Sequence, residues 1–184
     1  MKKILLILFV LLLAIGSYTM YFIVNNRFPL RYVDIINHYA NIHGVDPILI
    51  ASIINVESRF NPRAVSPVGA SGLMQIMEGT AYWIAEQMEI EDFVYSTMIF
   101  DPYININMGT WYISRLKNIY DTKDVALAAY NAGSGRVNSW LSDPDFSDDG
   151  ITLTNIPFRE TRNYVERVNL NMRIYSVLGR RALN

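Results

Sequence analysis

The hydrophobic pattern divides the chain into two regimes. From Ile4 to Val24 no residue is charged and apolar residues crowd every face, with Met1-Lys2-Lys3 before the run and Asn25-Asn26-Arg27 after it. As a helix this run is about 30 Å long, enough to cross the hydrocarbon core of a bilayer. Beyond it the apolar positions become periodic. Tyr32, Val33, Ile35, Ile36, Tyr39 and Ile42 predict an amphipathic helix over 32–43, with Gly44 as its stop. Asp46-Pro47 reads as an N-cap and first helical residue, opening an almost wholly apolar helix over 47–58. Periodicity then fails through Ser66–Met77, a small-residue segment with room for a short β-hairpin.

Helical spacing resumes at Ala81 with Thr80 as the cap. It continues after Asp101-Pro102, where Ile104, Ile106, Met108, Trp111, Tyr112, Ile113 and Leu116 form a stripe that predicts Trp111 and Tyr112 to be core residues. Asp124 is the expected cap of an alanine-rich helix ended by Gly133 and Gly135. Short and long helices are expected over 136–141 and 159–178. Ser142–Gly150 reads as a solvated acidic loop without the closing Glu of an EF-hand, and the basic tail 179–184 as frayed. The expected fold is mainly α in one domain, divided as 1–3 cytoplasmic tip, 4–24 transmembrane anchor, 25–30 linker and 31–184 folded domain.

Charge and composition narrow the chemistry. A net charge of -1 implies no broad basic surface, so nucleic-acid binding has no support. With 0 cysteines there is no disulfide, thiolate metal site, cysteine nucleophile or lipid-modified cysteine. His38 and His43 are the only imidazoles, and neither has a further ligand at metal spacing. Lys2 and Lys3 favour a cytoplasmic N-terminus with the rest exported. The other reading is a signal peptide cleaved near Ala14-Ile15-Gly16. It is disfavoured because the apolar run continues well past Gly16.

The candidate chemistry gathers at Glu57, which closes the apolar 47–58 helix. Ionising a carboxyl beside apolar packing is costly, so burial raises its pKa and lets it serve as a general acid near neutral pH. A glutamate is usually exposed, so position alone does not assign it. The surrounding blocks do more. Glu57-Ser58-Arg59-Phe60-Asn61-Pro62, then Ser66-Pro67-Val68-Gly69-Ala70-Ser71-Gly72-Leu73-Met74-Gln75-Ile76-Met77, then Ala128-Ala129-Tyr130-Asn131-Ala132-Gly133, then Ile156–Val165 occur in that order. In these four blocks the chain resembles the soluble-lytic-transglycosylase-like enzymes, which have the goose-type-lysozyme-like fold and cut peptidoglycan glycan strands. The resemblance spans about Arg31 to Leu178. Two departures stand out: Glu78 where the family usually has proline, and Ser134 where it often does.

The resemblance implies one catalytic carboxylate, Glu57, acting first as acid and then as base on the C6 hydroxyl of N-acetylmuramic acid, leaving a 1,6-anhydro end. It implies substrate contacts at Ser66, Met74, Gln75, Tyr130, Asn131 and Tyr164, and neither metal nor cofactor. Glu160, in its Glu-Thr-Arg setting, is expected to be held in an ion pair or hydrogen bond. The implied partners are peptidoglycan strands and, through the N-terminal helix, the cytoplasmic membrane; no protein partner is indicated. The competing readings are a muramidase that uses water and a non-catalytic glycan-binding subunit of a cell-wall machine.

Overall fold

The computed structural model describes residues 2–178 and Leu183; of the basic tail, only Leu183 lies among the described residues. These form nine helices: α1 Lys2–Arg27, α2 Val33–His43, α3 Pro47–Ser58, α4 Glu78–Gln87, α5 Tyr95–Met98, α6 Pro102–Ile119, α7 Lys123–Ala132, α8 Ser134–Leu141 and α9 Arg159–Leu178. In place of a hairpin, the described residues hold only two isolated bridges, Val65 with Ser71 and Ser71 with Ile76.

The body is built around α3. Asp46 caps it by accepting from the Ile48 N–H at 2.8 Å, and Leu49 through Asn55 are all buried. A helix apolar on every side must be enclosed on every side. α9 and α2 lie against α3, α6 joins α2 to α7, and α7 carries α8 and α9. Ile50, Ile53 and Ile54 have no exposed surface. Burying each contributes about 1.5–3 kcal/mol.

α3 ends abruptly. Arg59 and Phe60 follow it with φ of 53° and 61°, a left-handed pair made without glycine. Such backbone costs on the order of 1–3 kcal/mol per residue. The reward is that Phe60 is driven entirely into the core, which contributes a similar amount.

Two helix starts differ from the sequence reading. α4 begins at Glu78, not after Thr80, and its Met77 cap uses no side chain. An acid in that first turn, where the family usually has proline, complements the helix dipole. α7 is capped by Thr122, whose Oγ1 accepts from the Val125 N–H at 3.3 Å, while Asp124 sits inside the first turn. The histidines are absorbed by packing. His43 Nε2 lies 2.7 Å from Asn107 Oδ1, and His38 meets Tyr39 edge-on. In the acidic loop, Asp149 accepts from Thr152 N–H and hydroxyl and from the Ile151 N–H. These bonds hold its carboxyl down at about 2.

α1 runs past Val24 to Arg27, and none of the apolar segment Leu6–Arg27 is buried in the protein. The connection to α2 is therefore only Phe28–Tyr32. It is pinned rather than loose: the Tyr175 hydroxyl donates to the Pro29 carbonyl at 2.7 Å, and Phe28 meets the Tyr175 ring edge-on at 6.1 Å. Burial pushes the Tyr175 phenol far up, so it stays a donor at any physiological pH.

Tyr175→Phe keeps the ring contact and strands the Pro29 carbonyl. The expected loss is about 0.5–1.5 kcal/mol. It should be read as a lower urea midpoint with an unchanged m-value for the detergent-solubilised chain. An unchanged midpoint would mean that water satisfies the carbonyl equally well.

Candidate active site

The site is assembled where α3, α7 and α9 meet the 66–77 loop. The loop is held most deeply by a buried side chain, Asn105 of α6, and also by the Tyr95 hydroxyl, which donates to the carbonyls of Gly69 and Ile76 at 2.9 Å each. Asn105 Oδ1 accepts from the Met74 N–H at 2.7 Å, and its Nδ2 donates to the carbonyls of Ile99 at 2.9 Å and Ser71 at 3.2 Å. Gly72 lies against this carboxamide with φ of 82°, and a Cβ there would collide with the amide and sit 2.6 Å from the Ile99 carbonyl. Gly109, one turn along α6, leaves space filled by the Met74 side chain. Sequence reading missed Asn105. The available signal was a polar residue at the same helical spacing as Gly109, Ile113 and Leu116 in an apolar stripe.

Glu57 projects from the last turn of α3. The residue is partly buried, and its carboxyl is surrounded closely enough that desolvation dominates, pushing its pKa from 4.5 up to about 8. The Tyr164 hydroxyl and the Arg167 guanidinium oppose that rise, and the negative charge of Glu160 adds to it. The partial exposure and the strong desolvation are compatible if the carboxyl stands in a cleft: solvent reaches its edge while protein fills most directions.

Two phenols flank it. Tyr130 of α7 and Tyr164 of α9 are both held neutral, chiefly by burial and next by the charge of Glu57. Tyr130 donates to the Met74 carbonyl at 2.9 Å, tying α7 to the loop. The Tyr164 hydroxyl lies close enough to lower the acid's pKa yet outside ordinary hydrogen-bond geometry, so this buried group has no satisfied bond.

Beside Tyr130 opens a cavity of about 220 Å³ lined by Gln75, Tyr112, Tyr130, Asn131 and Thr80 among others. Gln75, at φ of 48°, spends Nε2 on the carbonyls of Gly72 and Ala64 at 2.9 and 3.1 Å. Its Oε1 is left as an acceptor. Asn131 shows the opposite balance: Oδ1 accepts from the Thr161 hydroxyl at 2.8 Å, leaving Nδ2 to donate. A larger cavity of about 520 Å³ lies between α2 and the start of α3, where Asp46 is already spent as a cap.

The expected substrate contacts therefore separate. Gln75, Tyr130 and Asn131 share the cavity, and Tyr164 stands at the acid. Met74 does not present its side chain, which is wholly buried under Gly109; only its carbonyl and N–H serve the site, as anchors. Ser66 does not line the cavity. Its Oγ accepts from the Ala70 N–H at 3.0 Å and closes the loop on itself. Tyr112 corrects the sequence reading in the other direction. It lines the cavity with its ring tilted at 42° and centred 5.4 Å from that of Tyr130, while Met108 and Leu116, one turn before and after it on α6, are buried. Trp111 is also only partly buried, packed edge-on against Trp83 with the Arg115 guanidinium over both rings. Glu160 is exposed and, among the described residues, makes neither ion pair nor side-chain hydrogen bond; its influence on Glu57 is Coulombic.

The raised pKa of Glu57 fixes the sign of a stability effect. Below 4.5 the carboxyl is protonated in folded and unfolded chains alike. Between 4.5 and about 8 the unfolded chain releases the proton while the folded one keeps it, so stability falls as pH rises. The fall is on the order of a few kcal/mol and levels off above the folded pKa. Urea midpoints of wild type and Glu57→Gln should agree at acid pH and separate in favour of the variant towards pH ~8. Parallel curves would show that the carboxyl is well solvated. Asn105→Ala frees three backbone groups at once, and a loss of about 2–4 kcal/mol is expected. Amide exchange should quicken at Met74 in particular; exchange that stays slow there would deny Asn105 its hold on the loop.

Comparison with known proteins agrees with this architecture. The chain is 40% identical over 144 residues to the soluble lytic murein transglycosylase of Salmonella typhimurium, covering 77% of this chain and 22% of that one. It is 32% identical over 166 residues to the membrane-bound lytic murein transglycosylase C of Cronobacter sakazakii, covering 79% and 46%. Among solved structures, the 70 kDa soluble lytic transglycosylase of Escherichia coli superposes with a TM-score of 0.74 at 35% identity, over 84% of this chain and 25% of that one. An inactive mutant of the lytic transglycosylase Slt of Pseudomonas aeruginosa gives 0.71, also at 35% identity, over 83% and 25%. The chain thus spans less than a quarter of the length of its curated soluble relative. Residues 34–151 match the transglycosylase SLT domain, and the chain belongs to that family.

Proposed function

We propose that the protein is a membrane-anchored peptidoglycan lytic transglycosylase. It would cleave the β-1,4 bond between N-acetylmuramic acid and N-acetylglucosamine and leave a 1,6-anhydro end. The observation that carries the reading is a single carboxyl, Glu57, held by burial at about 8 between two neutral phenols. At neutral pH it carries the proton that a glycosidic oxygen needs.

In the first step Glu57 gives its proton to the glycosidic oxygen and the C1–O bond breaks. Tyr164 and Arg167, which already favour the charged form, stabilise the new carboxylate. Charge at C1 is met by the substrate's own 2-acetamido group, so a second protein carboxylate is unnecessary. In the second step the C6 hydroxyl attacks C1 and its proton passes to Glu57, restoring the acid. Glu160 is exposed on α9, and the acid and base roles both stay with Glu57.

The cavity beside Tyr130 suits an N-acetylated sugar. Gln75 Oε1 can accept from an acetamido N–H while Asn131 Nδ2 donates to its carbonyl. Tyr112 and Tyr130 add apolar faces for a sugar ring. Met74 and Ser66 belong to the site through the backbone they fix. The relatives' names support the substrate class, and the Pseudomonas aeruginosa relative is described as inactive when one glutamate is replaced by glutamine. Support for the membrane comes from α1 and from the relative called membrane-bound. We take α1 as a retained single-pass anchor with residues 31–184 on the extracytoplasmic side.

Glu57→Gln keeps the shape and abolishes proton transfer. General acid–base assistance is worth about 10² to 10⁴ in rate, and with both roles on one residue the loss should reach the top of that range or exceed it. Digestion of isolated peptidoglycan followed by mass spectrometry should find 1,6-anhydro-N-acetylmuramic acid ends with wild type and almost none with the variant. Reducing ends alone would assign a water-using muramidase. Glycan binding without any turnover by wild type would assign a non-catalytic binding subunit.

A further inference from the structure

The end of α1 meets the body at a third cavity, of about 210 Å³, whose lining shares no residue with the Gln75 cavity. Three arginines line it from three elements: Arg27 from the last turn of α1, Arg59 from the left-handed end of α3, and Arg167 from α9. No carboxylate lines it, and among the described residues none of the three is in an ion pair. Arg167 is steered by a hydrogen bond to the Val56 carbonyl at 3.2 Å.

At the same cavity lies a buried amide with a defined deficit. Asn55 Nδ2 donates to Asn171 Oδ1 at 2.5 Å and to the Arg27 carbonyl at 3.2 Å. Those two bonds fix the amide's orientation. Asn55 Oδ1 is then buried with no donor. An unpaired buried acceptor costs about 1–3 kcal/mol, so a ligand hydroxyl is welcome there.

A third observation concerns the surface beside it. Leu170 lines the cavity and is 53% exposed; Val177 and Leu178, two turns further along α9, are 80% and 51% exposed. Residues 170, 177 and 178 lie on one helical face. This seam of solvent-exposed apolar side chains runs along the half of α9 that Tyr175 ties to the linker at Pro29. Cationic, hydrogen-bonding and apolar surfaces thus adjoin at the point where the apolar helix leaves the body.

We propose that this surface binds an anionic phospholipid of the membrane leaflet facing the catalytic domain. The phosphodiester would sit among Arg27, Arg59 and Arg167, a headgroup hydroxyl would donate to Asn55 Oδ1, and acyl-chain carbon would lie against Leu170, Val177 and Leu178. A guanidinium fork matches phosphate oxygens bidentately, which suits arginine better than lysine here. The terminal diol of a glycerol headgroup supplies the hydroxyl. The proposal rests on the anchor reading of α1 but not on the reaction at Glu57.

Native mass spectrometry of the full chain in detergent, titrated with phosphatidylglycerol or phosphatidylcholine, tests it. Phosphatidylglycerol should be retained preferentially. Each arginine near a lipid phosphate is worth about 1 kcal/mol, or about fivefold. Arg27→Gln and Arg59→Gln should each weaken retention by about that factor and together by roughly 25-fold. Lys117→Gln, on an exposed lysine of α6 that neither lines the cavity nor lies on α9, should change nothing. Equal retention of both lipids, or equal loss with Lys117→Gln, overturns the site. So does soluble glycerol phosphate competing at the lipid's own affinity, which would mark a free-phosphate site. An alkaline wash of membranes reports the anchor separately. Chain that washes off yet retains phosphatidylglycerol selectively in detergent would keep the lipid site and remove the anchor. Chain that stays without lipid preference would do the reverse.

Discussion

A carboxyl that must keep its proton in neutral water sets the terms for the rest of this protein. Glu57 can be desolvated only if the helix that carries it is already inside the protein, and α3 is inside because it has no polar face. The opposing demand is access. The backbone reconciles the two by stopping α3 one residue after the acid and turning through Arg59 and Phe60 in left-handed geometry. The turn leaves the acid partly exposed and sends Phe60 into the core. Backbone strain and core burial are here two sides of one device.

The other wall of the cleft has no regular structure of its own. The segment 66–77 has two isolated bridges and a left-handed Gln75, too little to hold a defined shape unaided. Its shape is imposed from α6 by Asn105 and from α7 by Tyr130, each bonded to the backbone of Met74. Asn105, which does not line the cavity, and Tyr130, which does, thus determine where Gln75 and its free acceptor point. In such an arrangement the supporting layer constrains the site as strongly as the groups that face the cavity.

Much of this was legible in the chain. Asp-Pro pairs located the starts of α3 and α6, where Asp46 and Asp101 accept from the backbone as their positions suggest, and periodicity alone located α9. Local signals failed where tertiary contacts decide. Thr80 and Asp124 are good caps by type, yet Met77 and Thr122 hold those positions because the incoming chain direction is set by the loop and by α6. Met74 looked like a groove residue from its neighbours; a glycine 35 positions on made a socket for it instead. Tyr112 shares the spacing of a core stripe whose Met108 and Leu116 are buried, yet its own ring is only partly so and meets Tyr130. Helical period reveals which face is buried but not which ring on that face also borders a cavity.

Arg167 has a consequence that belongs to neither site alone. Its positive charge makes the Glu57 carboxylate easier to form, and the same guanidinium lines the cavity beside α1. Any anion seated in that cavity would screen the charge and tighten the proton's hold on Glu57. By thermodynamic reciprocity, protonation of Glu57 would strengthen the anion's binding equally. The guanidinium then works as a rheostat: the composition of the surface against which the domain rests would tune how acidic the carboxyl beside it can be.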